Sequence, residues 1–303
     1  METIKMEIIT GRTGSFRIGN CLIITYTLPS GNLILLDSGA KSYDPLPAYL
    51  DERGIRVTGV IHTHLHEDHI ANDRLLQQRY GADLYASVSE IRSSADPERV
   101  LRELGLAGWM GENYREMTAP LVFTSFPDRE NTLTIEDCPF RLVPLPGHST
   151  GHTGIITPDG VFCVGDALLS DFSLENARAP FELDMSKAMD SIRRIRREDC
   201  PYFAVSHRQV VKQSEIRRLA DQNIRRLREL CAETASLVED GMTEEELVDI
   251  AAAAREIHRD YRNVFFDIYI AIREELEYEI RLGRIRAAGE GPGRRLFRVQ
   301  PRG

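Results

Sequence analysis

Over roughly the first two thirds of the chain, apolar residues come in short alternating or unbroken runs; after that they recur at helical spacing. Ile4–Thr10, Cys21–Thr27 and Asn32–Asp37 predict strands, the last two joined around Pro29-Ser30-Gly31-Asn32 as a hairpin. Asp44–Arg53 predicts a helix, and Val57–His62 a β-branched strand that runs straight into a histidine cluster. Ile70–Tyr80 has helical spacing up to Gly81, and Ala82–Ala86 returns to strand. A second β-rich block follows at Thr132–Ile135, Phe140–Leu145, Gly154–Thr157 and Val161–Val164. Between the blocks, residues 88–118 read as a polar, helix-like insertion carrying Trp109, Met110 and Tyr114. Asp184–Arg197 predicts a helix and Tyr202–Ser206 a last strand.

The pattern changes after about residue 212. Ser214–Glu239 is one amphipathic helix with Ile216, Leu219, Ile224, Leu227 and Leu230 on a stripe. Gly241 stops it, and Thr243 with Glu246 makes a capping box for a fresh helix. Val264–Leu282 predicts another helix, ended by Gly283, and Arg284–Arg286 with Arg294–Val299 a terminal hairpin. Helix, helix and hairpin is the order of a winged helix; a plain helical tail is the alternative. The expected division is residues 1–212 and 213–303.

Composition adds limits. At 303 residues, 42% hydrophobic and 28% charged, the chain reads as globular and large enough to bury a core without disulfides. No apolar run approaches the roughly 18 residues that span a bilayer, and the N-terminus shows no signal-peptide pattern. Five scattered cysteines without a CxxC pair fit reduced thiols in a cytoplasmic protein. The net charge of −9 is unevenly spread. Residues 191–228 carry 11 basic against 4 acidic side chains, and residues 229–280 carry 4 against 15. Residues 281–303 carry 7 arginines against Glu290 alone. Such runs are solvated helix faces or recognition surfaces, and charge alone does not choose.

The chemistry is concentrated in Ile61-His62-Thr63-His64-Leu65-His66-Glu67-Asp68-His69, where His64, His66, Asp68 and His69 spell H-x-H-x-D-H. Alternate residues on a tight loop leaving a strand point the same way, so His64 and His66 can chelate one metal. Asp68 and His69 fall on the next turn and face a second. Imidazole and carboxylate suit zinc, with iron or manganese as alternatives. Further candidates end later β-runs: His148 and His152 in Pro146-Gly147-His148-Ser149-Thr150-Gly151-His152, Asp166 after Val161–Gly165, and His207 after Phe203–Ser206.

These motifs, present in order over about residues 1–210, resemble the metallo-β-lactamase superfamily. The resemblance implies an αββα sandwich followed here by a mostly helical, winged-helix-like domain. It would place His64, His66 and His148 on one metal and Asp68, His69 and His207 on the other, with Asp166 bridging. Asp37 in Leu35-Leu36-Asp37-Ser38-Gly39 would be the buried aspartate that orders the metal-binding loop. The closest motif pattern is that of glyoxalase II and related thioester hydrolases, which share Pro-Gly-His-x-x-Gly-His. Ser206 and Arg208 flank His207 where such relatives carry glycine or glutamate. The tail also lacks the glutathione-linked pattern of glyoxalase II, so glutathione thioesters are not implied. His62 and His152 read as groups that support the ligands from behind, and His258 as a surface residue.

The expected activity is that of a dinuclear metal-dependent hydrolase, using a metal-bridging hydroxide on a small thioester, ester or lactone. Asp68 is the candidate for orienting the nucleophile and carrying a proton; Trp109, Tyr114 and Arg208 are candidates for substrate contact. Two alternatives stand beside it. A lactamase-like endoribonuclease acting on single-stranded RNA would use the Arg-rich tail, because phosphate binding is electrostatic. A mono-iron persulfide dioxygenase would need only one metal. A homodimer through the C-terminal helices is the expected assembly if there is one.

Overall fold

The computed structural model describes residues 4–18, 21–40, 45–96, 121–205, 209–257 and 262–299. Trp109, Met110, Tyr114, Ser206, His207, Arg208 and His258 lie outside the described residues.

Two sheets form the centre. The first has seven strands in chain order: β1 (Glu7–Thr10), β2 (Thr13–Ile18), β3 (Cys21–Thr27), β4 (Leu33–Leu36), β5 (Val57–Ile61), β6 (Asp83–Ser87) and β7 (Phe123–Phe126). It is antiparallel from β1 to β4 and parallel from β4 to β7. The parallel steps need crossovers. These contain α1 (Pro45–Glu52) before β5, then α2 (Glu67–Ile70) and α3 (Asp73–Tyr80) before β6, and α4 (Val88–Ala95) after it.

The second sheet has six strands: β8 (Asn131–Ile135), β9 (Cys138–Pro144), β10 (Thr153–Ile156), β11 (Val161–Gly165), β12 (Tyr202–Val205) and β13 (Gln209–Lys212). Its one parallel pair, β11 with β12, is linked through α5 (Asp171–Asn176) and α6 (Met185–Ile195). Three helices and a hairpin complete the chain: α7 (Gln213–Ser236), α8 (Glu244–Ala254), α9 (Arg262–Arg281), and β14 (Ile285–Ala288) paired with β15 (Arg295–Arg298).

Strand periodicity explains the layering. Leu22, Ile24 and Tyr26 of β3 and Ile34 and Leu36 of β4 point inward, against Phe140, Leu142, Ile155, Val161 and Cys163 of the other sheet. The intervening Ile23, Leu33 and Leu35 point outward, onto Leu46 and Leu50 of α1 and Leu76 of α3. Phe162, Val164, Phe203 and Val205 face outward from the second sheet onto Met185, Met189 and Ile192 of α6 and Ile216, Leu219 and Leu227 of α7. Strands buried on both faces read as unbroken hydrophobic runs, as β3, β4 and β11 do. Each fully buried Phe or Ile side chain contributes about 1.5–3 kcal/mol by leaving water.

The expected mixed α/β sandwich and the largely helical C-terminal region are both present. Details differ from the sequence expectation. The periodic stretch Ile70–Tyr80 is not one helix: α2 and α3 are broken at Ala71 and Asn72. There the chain bonds the Ser38 loop instead, with Asn72 Nδ2 donating to Ser38 O (2.6 Å) and Ala71 N to Gly39 O (3.2 Å). Strand β2, Thr-Gly-Ser-Phe-Arg-Ile, carries few β-formers and was not expected; it is central and almost wholly buried. The capping box at Thr243 and Glu246 forms as read.

Candidate metal centre

Every described ligand candidate sits at the same edge of the sandwich. Asp37 follows β4, the H-x-H-x-D-H loop follows β5, His148 lies between β9 and β10, and Asp166 follows β11. Three of these are carboxyl ends of strands in parallel pairs, where diverging connections leave a crevice.

The histidines converge. His64, His66 and His148 each offer a ligand atom within 4.8 Å of the others, and so do His64, Asp68 and His69. His66 Nδ1 and His148 Nε2 are 3.0 Å apart. Two nitrogens on one tetrahedral zinc ion at ordinary bond lengths would stand about 3.3 Å apart. Asp166 Oδ2 lies 3.5 Å from His69 Nε2 and 3.9 Å from His148 Nε2, between the two groups. His64 Nε2 is buried and has no hydrogen-bond partner among the described residues. Such an orphaned nitrogen facing three further imidazoles and two carboxylates fits a divalent cation.

Behind the site, Asp37 sets the ring orientations. Its Oδ1 accepts from Thr63 N and its Oδ2 from Thr63 Oγ1, both at 2.8 Å. His69 Nδ1 donates to the same Oδ2 at 2.8 Å. Because Thr63 Oγ1 gives its hydrogen to Asp37, it accepts from His64 Nδ1 at 3.1 Å. The network therefore assigns a proton to Nδ1 in both rings and aims both Nε2 atoms at the crevice. Asp37 itself is buried at φ 63°, a left-handed conformation costly for any residue but glycine, asparagine or aspartate. His62, also buried, stands 3.7 Å from Asp37 and 3.1 Å from Asp73. His152 Nε2 accepts from Asp166 N at 3.1 Å, and its ring stacks on His64 at 4.9 Å. Gly165 must be glycine: at φ 55° a Cβ would come within 2.6 Å of His152 Nε2 and 2.8 Å of Thr63 Oγ1.

The electrostatics divide the histidines. Burial, then the neighbouring imidazoles, hold His64 well below its ordinary value. Burial likewise lowers His66, takes His148 down to about 4 and His152 to about 3. Neutral imidazoles have lone pairs free for coordination. His69 goes the other way: burial opposes its charge, but Asp166 and Asp37 outweigh burial and raise it well above the ordinary value. Asp37 stays ionised, since His69 and His62 overcome the cost of burying it.

Several supports were not read from the sequence. Glu90 of α4 is buried, its Oε2 accepting from Leu65 N (3.0 Å) and its Oε1 from Ser149 Oγ (2.7 Å) and Gly151 N (2.8 Å). It cross-links the two loops that carry His64, His66 and His148. Cys21 Sγ donates to Asp68 O at 3.4 Å. Phe181 lies against the site, its ring 5.6 Å from that of His66 and 5.5 Å from that of His148. The only signal for Glu90 was its place in an otherwise polar helix start.

Comparisons with known proteins agree with this geometry. The family model of the Metallo-beta-lactamase superfamily matches residues 14–207. A hydroxyacylglutathione hydrolase from Edwardsiella ictaluri is 26% identical over 167 residues, 55% of this chain and 53% of that protein. One from Thiobacillus denitrificans is 39% identical over 130 residues, 41% of this chain and 38% of that protein. Another, from Shewanella sp. (strain ANA-3), is 25% identical over 40% of this chain and 39% of its own length. The chain thus spans about half or less of these curated relatives. Among solved structures, a metallo-beta-lactamase family protein from Thermus thermophilus superposes with a TM-score of 0.71 at 20% identity, covering 98% of both chains. A beta-lactamase domain protein from Burkholderia ambifaria gives 0.70 at 18% identity, covering 97% of this chain and 94% of its own. The fold, C-terminal helices included, is shared with both. With its ligand motifs gathered at one sandwich edge and the family model spanning most of the first two hundred residues, the chain belongs to the metallo-beta-lactamase superfamily.

Proposed function

We propose that the chain is a metal-dependent hydrolase of a small thioester, ester or lactone, working with two divalent ions, zinc foremost. The observation that carries this reading is Asp166 Oδ2, set 3.5 Å from His69 and 3.9 Å from His148, where one carboxylate can serve both ligand groups. His64, His66 and His148 would hold one ion. Asp68 and His69, with His207 as the further candidate, would hold the other. When bound, such a pair supplies Lewis acidity and makes water a nucleophile near neutral pH. The chain's own groups do the rest. Asp68, whose side chain is 35% exposed, sits at the mouth of the crevice, placed to accept a proton there and pass it to a leaving group. Thiolate departure needs little such help; alkoxide departure needs more. Phe181 offers an apolar wall beside His66 and His148 for an acyl chain.

The Arg-rich tail bears on the nuclease alternative. Arg294 pairs with Glu244 and Glu277, and Arg284 bonds both carboxylate oxygens of Glu279 (3.1 and 3.0 Å). Arg295 donates to Gly241 O, Arg298 to Val238 O and Ser236 O, and Arg286 stacks 4.2 Å over Phe297. Arg284 and Arg294 are thus met by glutamates of the acidic run, and Arg286, Arg295 and Arg298 are engaged by a ring and by backbone carbonyls, which supports a small-molecule substrate over RNA. A winged-helix-like reading of residues 213–303 is supported by the order α7-α8-α9-β14-β15 and by the bridge from Thr243 to Arg295. All ligand candidates precede residue 212, which supports 1–212 as the catalytic part. Five unpaired thiols suit a reducing compartment such as the cytoplasm, and among the described residues no helix is long and apolar enough to cross a membrane.

The test is a panel of neutral thioesters, aryl esters and lactones, with labelled single-stranded RNA beside them, assayed on zinc-loaded protein and on Asp68→Ala. Turnover of an acyl substrate that is lost in the variant supports the reading. RNA cleavage lost in the variant, with no acyl turnover, replaces it by the nuclease. Binding of one iron in place of two ions would favour the dioxygenase.

A further inference from the structure

His148 is oriented from behind by a backbone atom: its Nδ1 donates to Phe181 O at 3.0 Å, which leaves Nε2 facing His66. Phe181 belongs to the segment Ala177–Asp184, which joins α5 to α6 and has no regular structure of its own. On one side the segment is pinned to the His148 loop, with Leu183 N (2.8 Å) and Asp184 N (3.0 Å) both donating to Gly147 O. On the other it is gripped by the C-terminal helices. Arg226 of α7 donates to Ala177 O through Nε (3.3 Å) and an Nη (3.0 Å). Arg178 donates to Arg255 O (2.9 Å) and Glu256 O (3.0 Å), and Arg255 returns a bond to Arg178 O (3.1 Å). Ala179, Phe181 and Leu183 pack on Val248, Ala251 and Ala252 of α8 and Ile268 and Ile272 of α9.

Arg255 is in turn fixed by a bidentate pair with Glu275 (3.0 and 2.8 Å) and by Thr234 (2.8 Å), so α7, α8 and α9 share one anchor. The segment is held against a cost. Glu182 is 4% exposed and its Oε2 has no partner among the described residues. Burying a polar group unpaired is unfavourable, and eight residues of irregular chain must also be ordered. The bonds to the His148 loop and the grips from the C-terminal helices offset these costs together.

We infer that the C-terminal helices set the strength of the His64–His66–His148 metal group by gripping the Ala177–Asp184 segment, with Arg226 and Arg178 as positioning residues that act through Phe181 O on His148. This rests on the reading that these histidines hold a metal. Groups that orient a ligating histidine are worth 10–100-fold in metal affinity. The arginines lie one step further back, so the lower end, about 10-fold, is expected.

The experiment titrates metal-free protein with zinc against a chromophoric chelator, resolving two binding steps, for wild type and for Arg178→Ala/Arg226→Met. Both side chains are partly exposed, at 55% and 29%, so the variant is expected to fold. The expected result is one step weakened about 10-fold and the other unchanged, with faster hydrogen exchange at the Leu183 amide and partial recovery in Arg178→Ala/Arg226→Lys. Two unchanged steps in a folded variant overturn the inference while leaving the metal reading intact, and so does equal weakening of both. Failure of wild type to bind zinc at all overturns both. Should the double variant not fold, Arg178→Ala alone carries the same comparison, with a severalfold loss in one step expected.

Discussion

Asp37 Oδ2 accepts the Nδ1 proton of His69 at 2.8 Å while Asp37 sits in a left-handed backbone conformation at φ 63°. One residue thus uses a backbone conformation open to few side chains, and carries a buried charge, to orient a candidate ligand, and through Thr63 it orients His64 as well. Asp37→Asn tolerates the conformation but loses the charge and must turn an NH2 toward one of its donors. Its metal affinity is expected to fall by 10-fold or more, with the far-ultraviolet circular dichroism unchanged. Chelator competition reads the first, and equal affinity in the variant would refute the role.

Glu90 joins the two ligand loops through three hydrogen bonds. Glu90→Gln keeps the shape but replaces one acceptor with a donor that faces other donors. A loss of about 1–3 kcal/mol in unfolding free energy is expected, together with weaker metal binding. Urea denaturation of the metal-free protein measures the first part; a difference under about 0.5 kcal/mol would remove Glu90 from the list of supports.

Gly165→Ala places a Cβ where His152 and Thr63 already stand, at a φ that alanine adopts poorly. Asp166 must move with it, so the variant is expected to lose metal affinity along with at least about 1–2 kcal/mol of stability. A variant that binds zinc as wild type does would mean that the loop after β11 relaxes freely.

Glu274 of α9 is buried beside Arg273 (3.3 Å) and Arg281 (3.7 Å), yet burial outweighs both and pushes its carboxyl up from 4.5 to about 7. A carboxyl that binds its proton more tightly when folded gives stability that is complete below pH 4.5 and is lost as the pH rises through about 7. Glu274→Gln cannot ionise, so its stability should fall less than that of wild type over this window, by on the order of 2–3 kcal/mol. Parallel stability curves for the two proteins between about pH 5 and pH 8 would exclude the effect.

Arg294 is expected to be structural. Removing it in Arg294→Met leaves Glu244 to Tyr269 and Arg273 and Glu277 to Arg273 alone, at an expected cost of about 1–3 kcal/mol. Binding of single-stranded RNA at low salt should not change. A drop in RNA affinity with an unchanged melting temperature would instead assign the hairpin to recognition.

What the sequence made legible follows the range of the interactions. H-x-H-x-D-H is local, so its spacing alone brings His64, His66, Asp68 and His69 to one loop. The strands facing both layers announce themselves as apolar runs. Glu90 was illegible because its partners lie 25, 59 and 61 residues away, and nothing about a single glutamate in a polar stretch marks it. Strand β2 was hidden because its pairing, not its composition, makes it a strand. Charge counting left the tail open between a solvated face and a recognition surface, because it sees the arginines and not the glutamates, such as Glu244 50 residues from Arg294, that meet some of them. The break between α2 and α3 is a tertiary effect: Ser38 competes for backbone groups that helical spacing alone would have kept in one helix.

The long helix α7 contributes Ile216, Leu219, Ala220, Leu227 and Cys231 to the layer that covers the second sheet, and its last turns reach the core around Val238 and Leu276. During synthesis, a chain that has emerged only to residue 212 carries every described ligand candidate but leaves Phe162, Phe203 and Val205 covered by α6 alone. Such a nascent chain is expected to expose part of that apolar face until α7 follows. Any attempt to graft a different tail onto this chain must therefore keep residues 213–236 and make the splice beyond them.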